Sequence, residues 1–216
     1  PIYPIKRQFL SIDGLNYAML KNFLQSNEGI SLRAFALTAL HIIIDAYGHG
    51  SRSVIAYVDA NGKNKVQDSV LLPTIVNHIQ QYQLTCISAV KVIEDALRLK
   101  DSYLSPSEVL KLGLFDAVLI LNDDHPLEGL PPLPLVFFVH DLDDRQCLQW
   151  TVTYAGELFE DKIITGLIDI LREIVTQLFS QPTKFIADLE LVSNSQKLKI
   201  DACLLYTSPS PRDIGE

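Results

Sequence analysis

The sequence predicts a mixed α/β domain in which helices cover a mixed β-sheet. Three strand patterns lie close together, at residues 115–121, 133–139 and 147–154. The first two are nearly continuous apolar runs, which is typical of strands covered on both faces. The third alternates between apolar residues such as Trp150 and polar residues such as Thr151, as in a strand with one buried face. Residues 123–132 hold prolines and a glycine, so they cannot continue either neighbouring strand.

Upstream of these strands, the chain combines an entering strand with two helices. Residues 1–10 fit an entering strand. A helix is predicted over residues 13–26, followed by Gly29 in the left-handed conformation. Ser31 is a good N-cap for a second helix, which is apolar almost all round and is therefore predicted to be buried against the sheet. The first helix is expected to bury Leu15, Met19, Leu20 and Phe23; the second carries Leu32, Phe35, Ala36, Ala39, Leu40, Ile43 and Ile44 and ends at Gly48 and Gly50.

The middle of the chain is predicted to contain a strand, an extended segment and two helices. Residues 53–58 read as a strand, and a polar turn follows at residues 59–65. Residues 70–79 are extended and contain a second strand. A helix over residues 87–99 has a charged side that we interpret as solvated, formed by Lys91, Glu94, Asp95, Arg98 and Lys100. Ser105 and Pro106 begin the next helix, and Gly113 ends it.

The part after the three strands begins with the clearest amphipathic helix, over residues 161–181. Its apolar stripe is wide, and Pro182 stops it. Residues 185–192 are predicted to be a short extended closing segment, and Ser193 caps a last helix. The stripe consists of Ile163, Ile164, Leu167, Ile168, Leu171, Ile174, Val175, Leu178 and Phe179.

Composition and charge disfavour several classes of protein. A net charge of -8 and a pI of about 5.1 disfavour nucleic acid and anionic membrane surfaces, which attract basic proteins. No apolar run approaches the roughly 20 residues of a spanning helix. The three cysteines are too widely spaced for a disulfide framework or a zinc site. We expect Cys86 and Cys147 to be small buried side chains in a reducing, cytoplasmic compartment.

The sequence lacks several common motifs that carry chemistry. The glycines at positions 48 and 50 lack the third glycine and the following helix of a phosphate loop, and there is no Gly-x-Ser-x-Gly elbow. His41, His49 and His78 have no second ligand at metal-site spacing, which favours structural roles for all three.

Two acidic pairs, at positions 123–124 and 143–144, fall in expected loops. Neighbouring residues on a strand point apart, which disfavours a shared proton, and a calcium role is the weaker alternative. The residues therefore assign no catalytic, cofactor-binding or metal-ligating side chain to this chain.

The last stretch follows a helix-like tail without any turn signal. Residues 203–213 match, residue for residue, the translation of a transposase-type adapter used for sequencing libraries. The alternative is a natural linker rich in serine and proline. We expect residues 203–216 to be non-native and residues 1–202 to be a gene fragment that is cut at both ends.

The order of the patterns resembles the C-terminal subdomain of a condensation domain from nonribosomal peptide synthetases. The resemblance covers residues 5–200 and implies half of a chloramphenicol-acetyltransferase-like fold. Residues 30–48 resemble the long helix before a Tyr/Ser-Gly turn, and residues 154–159 resemble the family's Tyr-Asn-Thr-Asp-Leu-Phe. Two strands match more weakly: residues 54–56 and the strand that ends at Asn122. Three short motifs also match weakly: Gly62-Lys63 stands for the family's Gly-Arg, Leu72-Pro73 for its Leu-Pro, and residues 106–108 for its Pro-Phe-Glu.

The chain departs from this family at two places. The Gly-Phe-Phe-Val-Asn segment, which belongs to a latch crossing to the other subdomain, is replaced by residues 65–69, and the phenylalanine of Pro-Phe-Glu is Ser107. The catalytic His-His-x-x-x-Asp-Gly motif belongs to the N-terminal subdomain and is absent. His140 and Asp144 reproduce only its His-x-x-x-Asp spacing, so we interpret His140 as a histidine at a hairpin edge.

The resemblance implies an enzyme that joins two acyl or aminoacyl groups bound to carrier proteins, giving an amide or an ester. Its substrates arrive on phosphopantetheine arms, and no cofactor is bound directly. The implied partners are the missing N-terminal subdomain, carrier-protein domains and an adjacent adenylation domain, with no nucleic acid or membrane. The fragment alone is expected to be inactive. Two alternatives are a non-catalytic module that binds a carrier or partner, and a coenzyme-A-dependent acyltransferase of the same fold.

Overall fold

The computed structural model describes residues 4–47, 54–58, 74–75, 83–98, 117–122 and 135–191. These residues form six strands, four α-helices and two short 3₁₀ turns. In chain order the elements are β1 (Ile5–Asp13), α1 (Gly14–Ser26), α2 (Leu32–Tyr47), β2 (Val54–Val58), β3 (Thr74–Ile75), α3 (Cys86–Arg98), β4 (Ala117–Leu121), β5 (Leu135–Leu142), a 3₁₀ turn (Asp143–Arg145), β6 (Cys147–Ala155), α4 (Asp161–Ser180) and a second 3₁₀ turn (Ile186–Asp188).

The strands form one mixed sheet in the order β1-β6-β5-β4-β2-β3. Strands β2, β4 and β5 are parallel neighbours, whereas the other pairs are antiparallel. The prediction of a mixed sheet is therefore confirmed, as are the three adjacent strand patterns. Strand β5 extends to Leu142, beyond its predicted end at residue 139, because residues 140–142 still pair with β6.

The helices lie on one face of the sheet. Along β6 every second side chain is buried on that face, including the fully buried Trp150, and β1 buries Leu10 and Ile12 there. Helix α2 is buried on almost all sides, as its sequence predicted, and it contacts α3, α4 and β2. The hydrophobic core therefore lies between α2 and the sheet, with the remaining helices around it.

Helix α1 is turned differently from the prediction. Leu15 is 77% exposed and Met19 is also exposed, while Tyr17 and Leu20 are buried. The predicted apolar side was therefore wrong in half of its members. The reason is Tyr17, whose ring joins the core while its hydroxyl group reaches the β5–β6 hairpin, and this contact sets the rotation of the helix.

The apolar stripe of α4 is confirmed except at Ile163, which is exposed in the first turn of the helix. The closing segment was predicted to be extended over residues 185–192; Phe185 and Leu189 are extended, but the residues between them form the 3₁₀ turn Ile186–Asp188. The cause is Gln177, a buried residue of α4. Its side-chain amide donates to the carbonyl of Glu190 and accepts the N–H of the same residue, and this requires a compact turn before Glu190.

Several predictions fall outside the described residues. They concern the two glycines after α2, His49, His78, the Gly62–Lys63 and Leu72–Pro73 matches, the latch region 65–69, the helix predicted from Ser105 with Ser107, the link 123–132, the cap at Ser193, and residues 203–216 with Cys203. In the described part of the chain, no helix combines the length and apolar composition that crossing a membrane requires.

Candidate functional site

The face of the sheet opposite the helices carries no helix among the described residues. We call its accessible part the helix-free face. The strand register places its side chains in rows, with Phe9 beside Thr151, and Thr151 beside Phe138. Farther across the same face, Val136 and Ile120 are buried. The helix-free face consists of Ile5, Arg7 and Phe9 on β1, Gln149, Thr151 and Thr153 on β6, and Phe138 and His140 on β5.

His140 belongs to this face. It lies in β5, opposite Gln149 and half-buried, whereas Asp144 is exposed in the 3₁₀ turn. Strand β5 is an interior strand, so His140 lies inside the sheet rather than at its edge, and the interpretation as an edge histidine was wrong. The reason is that β4 pairs with the other side of β5, which the local sequence does not reveal.

His41 is fully buried in α2. Burial lowers the pKa of His41 to about 3, so the imidazole stays neutral near pH 7. Across the described ranges, no group of histidine, cysteine or acidic side chains has an arrangement that could hold a metal ion.

A polar cluster that sequence reasoning missed joins α1 to the β5–β6 hairpin. We call it the hairpin clamp: Tyr17, Lys21, Asp141 and Asp143. The Tyr17 hydroxyl lies 2.7 Å from Oδ1 of Asp141 and in short contact with Oδ1 of Asp143. The hydroxyl has one proton, so it donates to one carboxylate at a time. The Lys21 ammonium donates to Asp141 and lies 3.0 Å from Oδ1 of Asp143.

The electrostatics of the hairpin clamp follow from these bonds. Burial, and then hydrogen bonds to the two carboxylates, raise the pKa of Tyr17. Burial alone would lower the pKa of Lys21, but hydrogen bonds to Asp141 and Asp143 outweigh it and raise that pKa. The hydrogen bond from Tyr17, followed by that from Lys21, lowers the pKa of Asp143. The clamp therefore holds a neutral tyrosine and an ammonium between two carboxylates.

Asn122, at the end of β4, supports the clamp from the other side. Its side-chain Oδ1 accepts the backbone N–H of Asp141 at 2.9 Å, and its own N–H donates to Val139 O at 2.8 Å. Its φ of 52° is a left-handed value that asparagine tolerates better than most residues. Because the polar groups of the clamp are occupied by one another, they position the hairpin and leave no activated nucleophile.

A second polar cluster ties β1 to the start of α4. The Lys6 ammonium lies 2.9 Å and 3.0 Å from the two carboxylate oxygens of Asp161, and the Tyr154 hydroxyl donates to Oδ1 of Asp161 at 2.8 Å. Gln8 Nε2 donates to the Tyr154 hydroxyl at 3.1 Å. The bond to Lys6, and then the bond from Tyr154, lower the pKa of Asp161. Tyr154 opens the segment that resembles the family's Tyr-Asn-Thr-Asp-Leu-Phe, so this cluster gives that tyrosine a structural role.

The N-terminus of α2 is capped by side chains of the same chain. Ser31 caps the helix as predicted, because its Oγ accepts the N–H of Ala34 at 3.2 Å. Glu94 of α3 accepts both the Oγ–H of Ser31, at 2.6 Å, and its N–H, at 3.1 Å. The Glu94 side chain is only 14% exposed, so placing it on a solvated face was wrong. Helical spacing alone could not reveal a partner 63 positions away.

Cys86 is buried as predicted, and burial raises the pKa of its thiol to about 11, which keeps it protonated and unreactive near pH 7. Cys147 is only half-buried, because it starts β6 just after the exposed hairpin turn.

Comparisons with known proteins bear on the whole chain. No protein-family model matches it. The chain is 43% identical over 192 residues to the N-(5-amino-5-carboxypentanoyl)-L-cysteinyl-D-valine synthase of Amycolatopsis lactamdurans. It is 40% identical over 196 residues to the synthase of the same name from Streptomyces clavuligerus. These alignments cover 88% and 90% of this chain but only 5% and 24% of the two relatives.

Solved structures with a similar fold include two condensation domains. That of the Monacolin K polyketide synthase matches with a TM-score of 0.68 at 14% identity, over 85% of this chain and 49% of that one. The first condensation domain of the calcium-dependent antibiotic synthetase matches with a TM-score of 0.67 at 12% identity, over 88% and 48%. The chain thus spans about half of each solved domain.

Proposed function

This chain is a segment of a condensation domain related to nonribosomal peptide synthetases, with half of the chloramphenicol-acetyltransferase-like fold, and from that premise we propose that it forms the C-terminal half of a peptide-bond-forming enzyme. The intact domain would join two carrier-bound groups: the amine, or less often the alcohol, on one carrier attacks the thioester on the other. An amide or ester forms, and the thiol of the second carrier leaves.

The observation that carries this proposal is the agreement of sequence and fold over the same residues. Sequence similarity to the two synthases extends over 88% and 90% of the chain, and the condensation-domain fold extends over 85% and 88%. The boundaries remain our proposal: residues 1–202 as the C-terminal half, and residues 203–216 as foreign to it.

In this proposal the chain supplies a wall and no catalytic group. The helix-free face offers Phe138, Thr151 and Thr153 as a mixed apolar and polar surface that could flank a phosphopantetheine arm. The proposed general base belongs to the His-His-x-x-x-Asp-Gly motif of the other half. The partners are that half, carrier-protein domains and an adenylation domain, and the substrates come covalently attached to the carriers.

The test compares the chain alone with the polypeptide that its source gene encodes around it. Each protein receives an acyl-loaded and an aminoacyl-loaded carrier protein, and mass spectrometry of the carriers detects the condensed product. We expect product from the longer protein and none from the chain alone. Alanine at the second histidine of the upstream motif should abolish the product, whereas Asp144→Ala, in the exposed turn outside the helix-free face, should leave it unchanged.

One observation favours a second candidate, a non-catalytic module that binds a carrier or partner. Residues 65–69 replace the family's latch sequence, which would weaken the connection between the two halves. In that case the longer protein would retain carrier proteins in a binding assay but give no condensed product. The same experiment therefore separates the two candidates. Replacing the acyl-loaded carrier with free acyl-coenzyme A as the donor tests the stand-alone acyltransferase.

A further inference from the structure

The outer edge of β1 has a property that the proposed function does not use. Strand β1 is the terminal strand of the sheet, and it pairs with β6 along all nine residues from Ile5 to Asp13. Its other edge has no neighbouring strand among the described elements. Such an edge offers backbone N–H and C=O groups to any extended chain that approaches it.

The register shows which residues present these groups. In an antiparallel pair, alternate residues direct both backbone groups to the partner, and the residues between them direct both away. Gly156 N donates to Pro4 O at 3.0 Å, so the even-numbered residues of β1 face β6. The backbone groups of Ile5, Arg7 and Phe9 therefore point outward. The contact of 3.5 Å from Arg172 to Ser11 O agrees with this alternation.

We call residues 5–9 the free edge. In the described part of the chain, the outward N–H and C=O groups of Ile5, Arg7 and Phe9 make no hydrogen bond. Farther along β1 the edge is covered, because Arg172 of α4 reaches the carbonyl of Ser11. The free edge is thus three outward-facing residues long, which suits a short added strand.

Two of the three outward-facing residues at the free edge, Ile5 and Phe9, are apolar, and only Arg7 has a charge of the kind that normally protects an edge. Ile5 is 62% and Phe9 is 57% exposed, and Arg7 between them is exposed and has no ion pair within the described ranges. Edge strands are usually guarded by charges that repel an incoming strand. The neighbouring charge, Lys6, points to the helix side and is held by Asp161.

From this geometry we propose that the free edge binds an extended segment of a partner polypeptide as an added strand, with an acidic side chain opposite Arg7 and apolar side chains opposite Ile5 and Phe9. Directly opposite residues place their side chains on the same face of a sheet, so all three pairs form on the helix-free face. The partner motif is apolar-x-acidic-x-apolar. The pairs would lie beside Thr151 and Thr153, which belong to the part of the face proposed to flank a phosphopantetheine arm, but binding at the edge does not require the condensation chemistry.

A second copy of this chain fits the edge less well. A symmetric antiparallel pairing centred on Arg7 would place two arginines opposite each other, which is repulsive. A pairing centred on Phe9 would use Ser11 as an acceptor and would compete with Arg172 for its carbonyl. The charge at the centre of the edge therefore favours a foreign, acidic strand.

The first experiment uses a fluorescein-labelled, end-blocked peptide, Ser-Val-Thr-Glu-Thr-Val-Ser, whose near-symmetry allows either strand direction. We expect saturable binding by fluorescence anisotropy. Arg7→Glu should weaken it about fivefold, since an attractive cross-strand charge pair becomes a repulsive one. A peptide with lysine in place of glutamate should bind the Arg7→Glu variant more tightly than the wild-type protein. Lys162→Glu makes the same charge change at an exposed residue of α4 and should leave binding unchanged.

The second experiment needs only the unaltered protein. In an antiparallel complex, a methyl group on the backbone nitrogen of the central glutamate removes a donor that faces β1, whereas a methyl group on the preceding threonine removes one that faces outward; in a parallel complex the two positions exchange these roles. Only one of the two methylated peptides should therefore lose binding. In the complex, the amides of Ile5, Arg7 and Phe9 should exchange with deuterium more slowly, while those of Gln8 and Leu10, already bonded to β6, should not change.

Three results would overturn the proposal. One is the absence of saturable binding up to about 1 mM peptide, a very weak affinity for any specific site. Another is equal loss of binding for the two methylated peptides. The last is a dimer in light scattering that Arg7→Glu converts to monomer, which would assign the edge to a second copy of the chain.

Discussion

At the scale of single residues, the structure is organised by polar side chains that bond across large sequence separations. Tyr17 and Lys21 reach Asp141, and Ser31 reaches Glu94. Each contact fixes an orientation that local patterns leave open. This explains why sequence reasoning found Ser31 as a cap from its type and position but missed its acceptor. It also explains why half of the buried side of α1, and Glu94 on the solvated side of α3, were assigned incorrectly.

Removing the acceptor gives the first prediction. Glu94→Ala should lower the free energy of unfolding by about 1–2 kcal/mol, because Ser31 N–H and the start of α2 lose a charged acceptor in a partly buried site. Urea unfolding followed by circular dichroism measures the change. The matched control is Asp95→Ala, at the exposed neighbouring position, which should shift stability by less than about 0.5 kcal/mol. Equal effects of the two substitutions would contradict the capping role.

At the scale of elements, periodicity predicted where the helices and strands are, and tertiary bonds decided the exceptions. The wide stripe of α4 and the alternation of β6 were sufficient because a strong apolar pattern outweighs local preferences. The closing segment has no such pattern. Its turn depends on Gln177, which lies inside the apolar stripe of α4 and gave no sequence signal of a partner at Glu190.

The element-scale prediction concerns that turn. Gln177→Met keeps the size of the side chain but leaves the N–H and C=O of Glu190 without their partners. The turn Ile186–Asp188 should open more often, at a cost of about 1–3 kcal/mol. Hydrogen–deuterium exchange of a peptide spanning residues 183–191 should become faster. Gln181→Met, at the exposed end of α4, serves as the control and should not alter it.

At the scale of the whole molecule, two distant ion-paired clusters hold separate layers together. The hairpin clamp joins α1 to the β5–β6 turn, and the pair formed by Lys6 and Asp161 joins β1 to α4. Sequence reasoning predicted the mixed sheet but could not give its strand order. Nothing local to residues 5–13 indicates that β1 pairs with a strand that begins at Cys147.

Acid should weaken both connections. Hydrogen bonds from Tyr17 and Lys21 lower the pKa of Asp143, and those from Lys6 and Tyr154 lower the pKa of Asp161, both from 3.8. A carboxyl whose folded-state pKa is lowered contributes stability that is complete above the unfolded-state pKa and is lost as pH falls through the folded-state pKa. We therefore expect the urea midpoint to fall progressively below about pH 5.

The variants Lys21→Met and Lys6→Met provide the comparison. Each removes a cation that lowers one carboxyl pKa, so each should flatten the fall of the urea midpoint with acid. Both carboxylates are exposed, so added salt should flatten it as well. If the urea midpoint of both variants falls with acid as steeply as that of the wild-type protein, the acid sensitivity belongs to other groups.

The pairing of β1 with β6 also has a consequence for the order of events during synthesis. Ile5 leaves the ribosome well before its sheet partner, Ala155, which is made 150 residues later. At typical rates of translation, the first strand waits on the order of ten seconds for its neighbour, with Ile5 and Phe9 exposed in the meantime. The pairing of β1 therefore cannot precede the synthesis of β6, and any chain that stops before Cys147 leaves β1 available to chaperones and to aggregation.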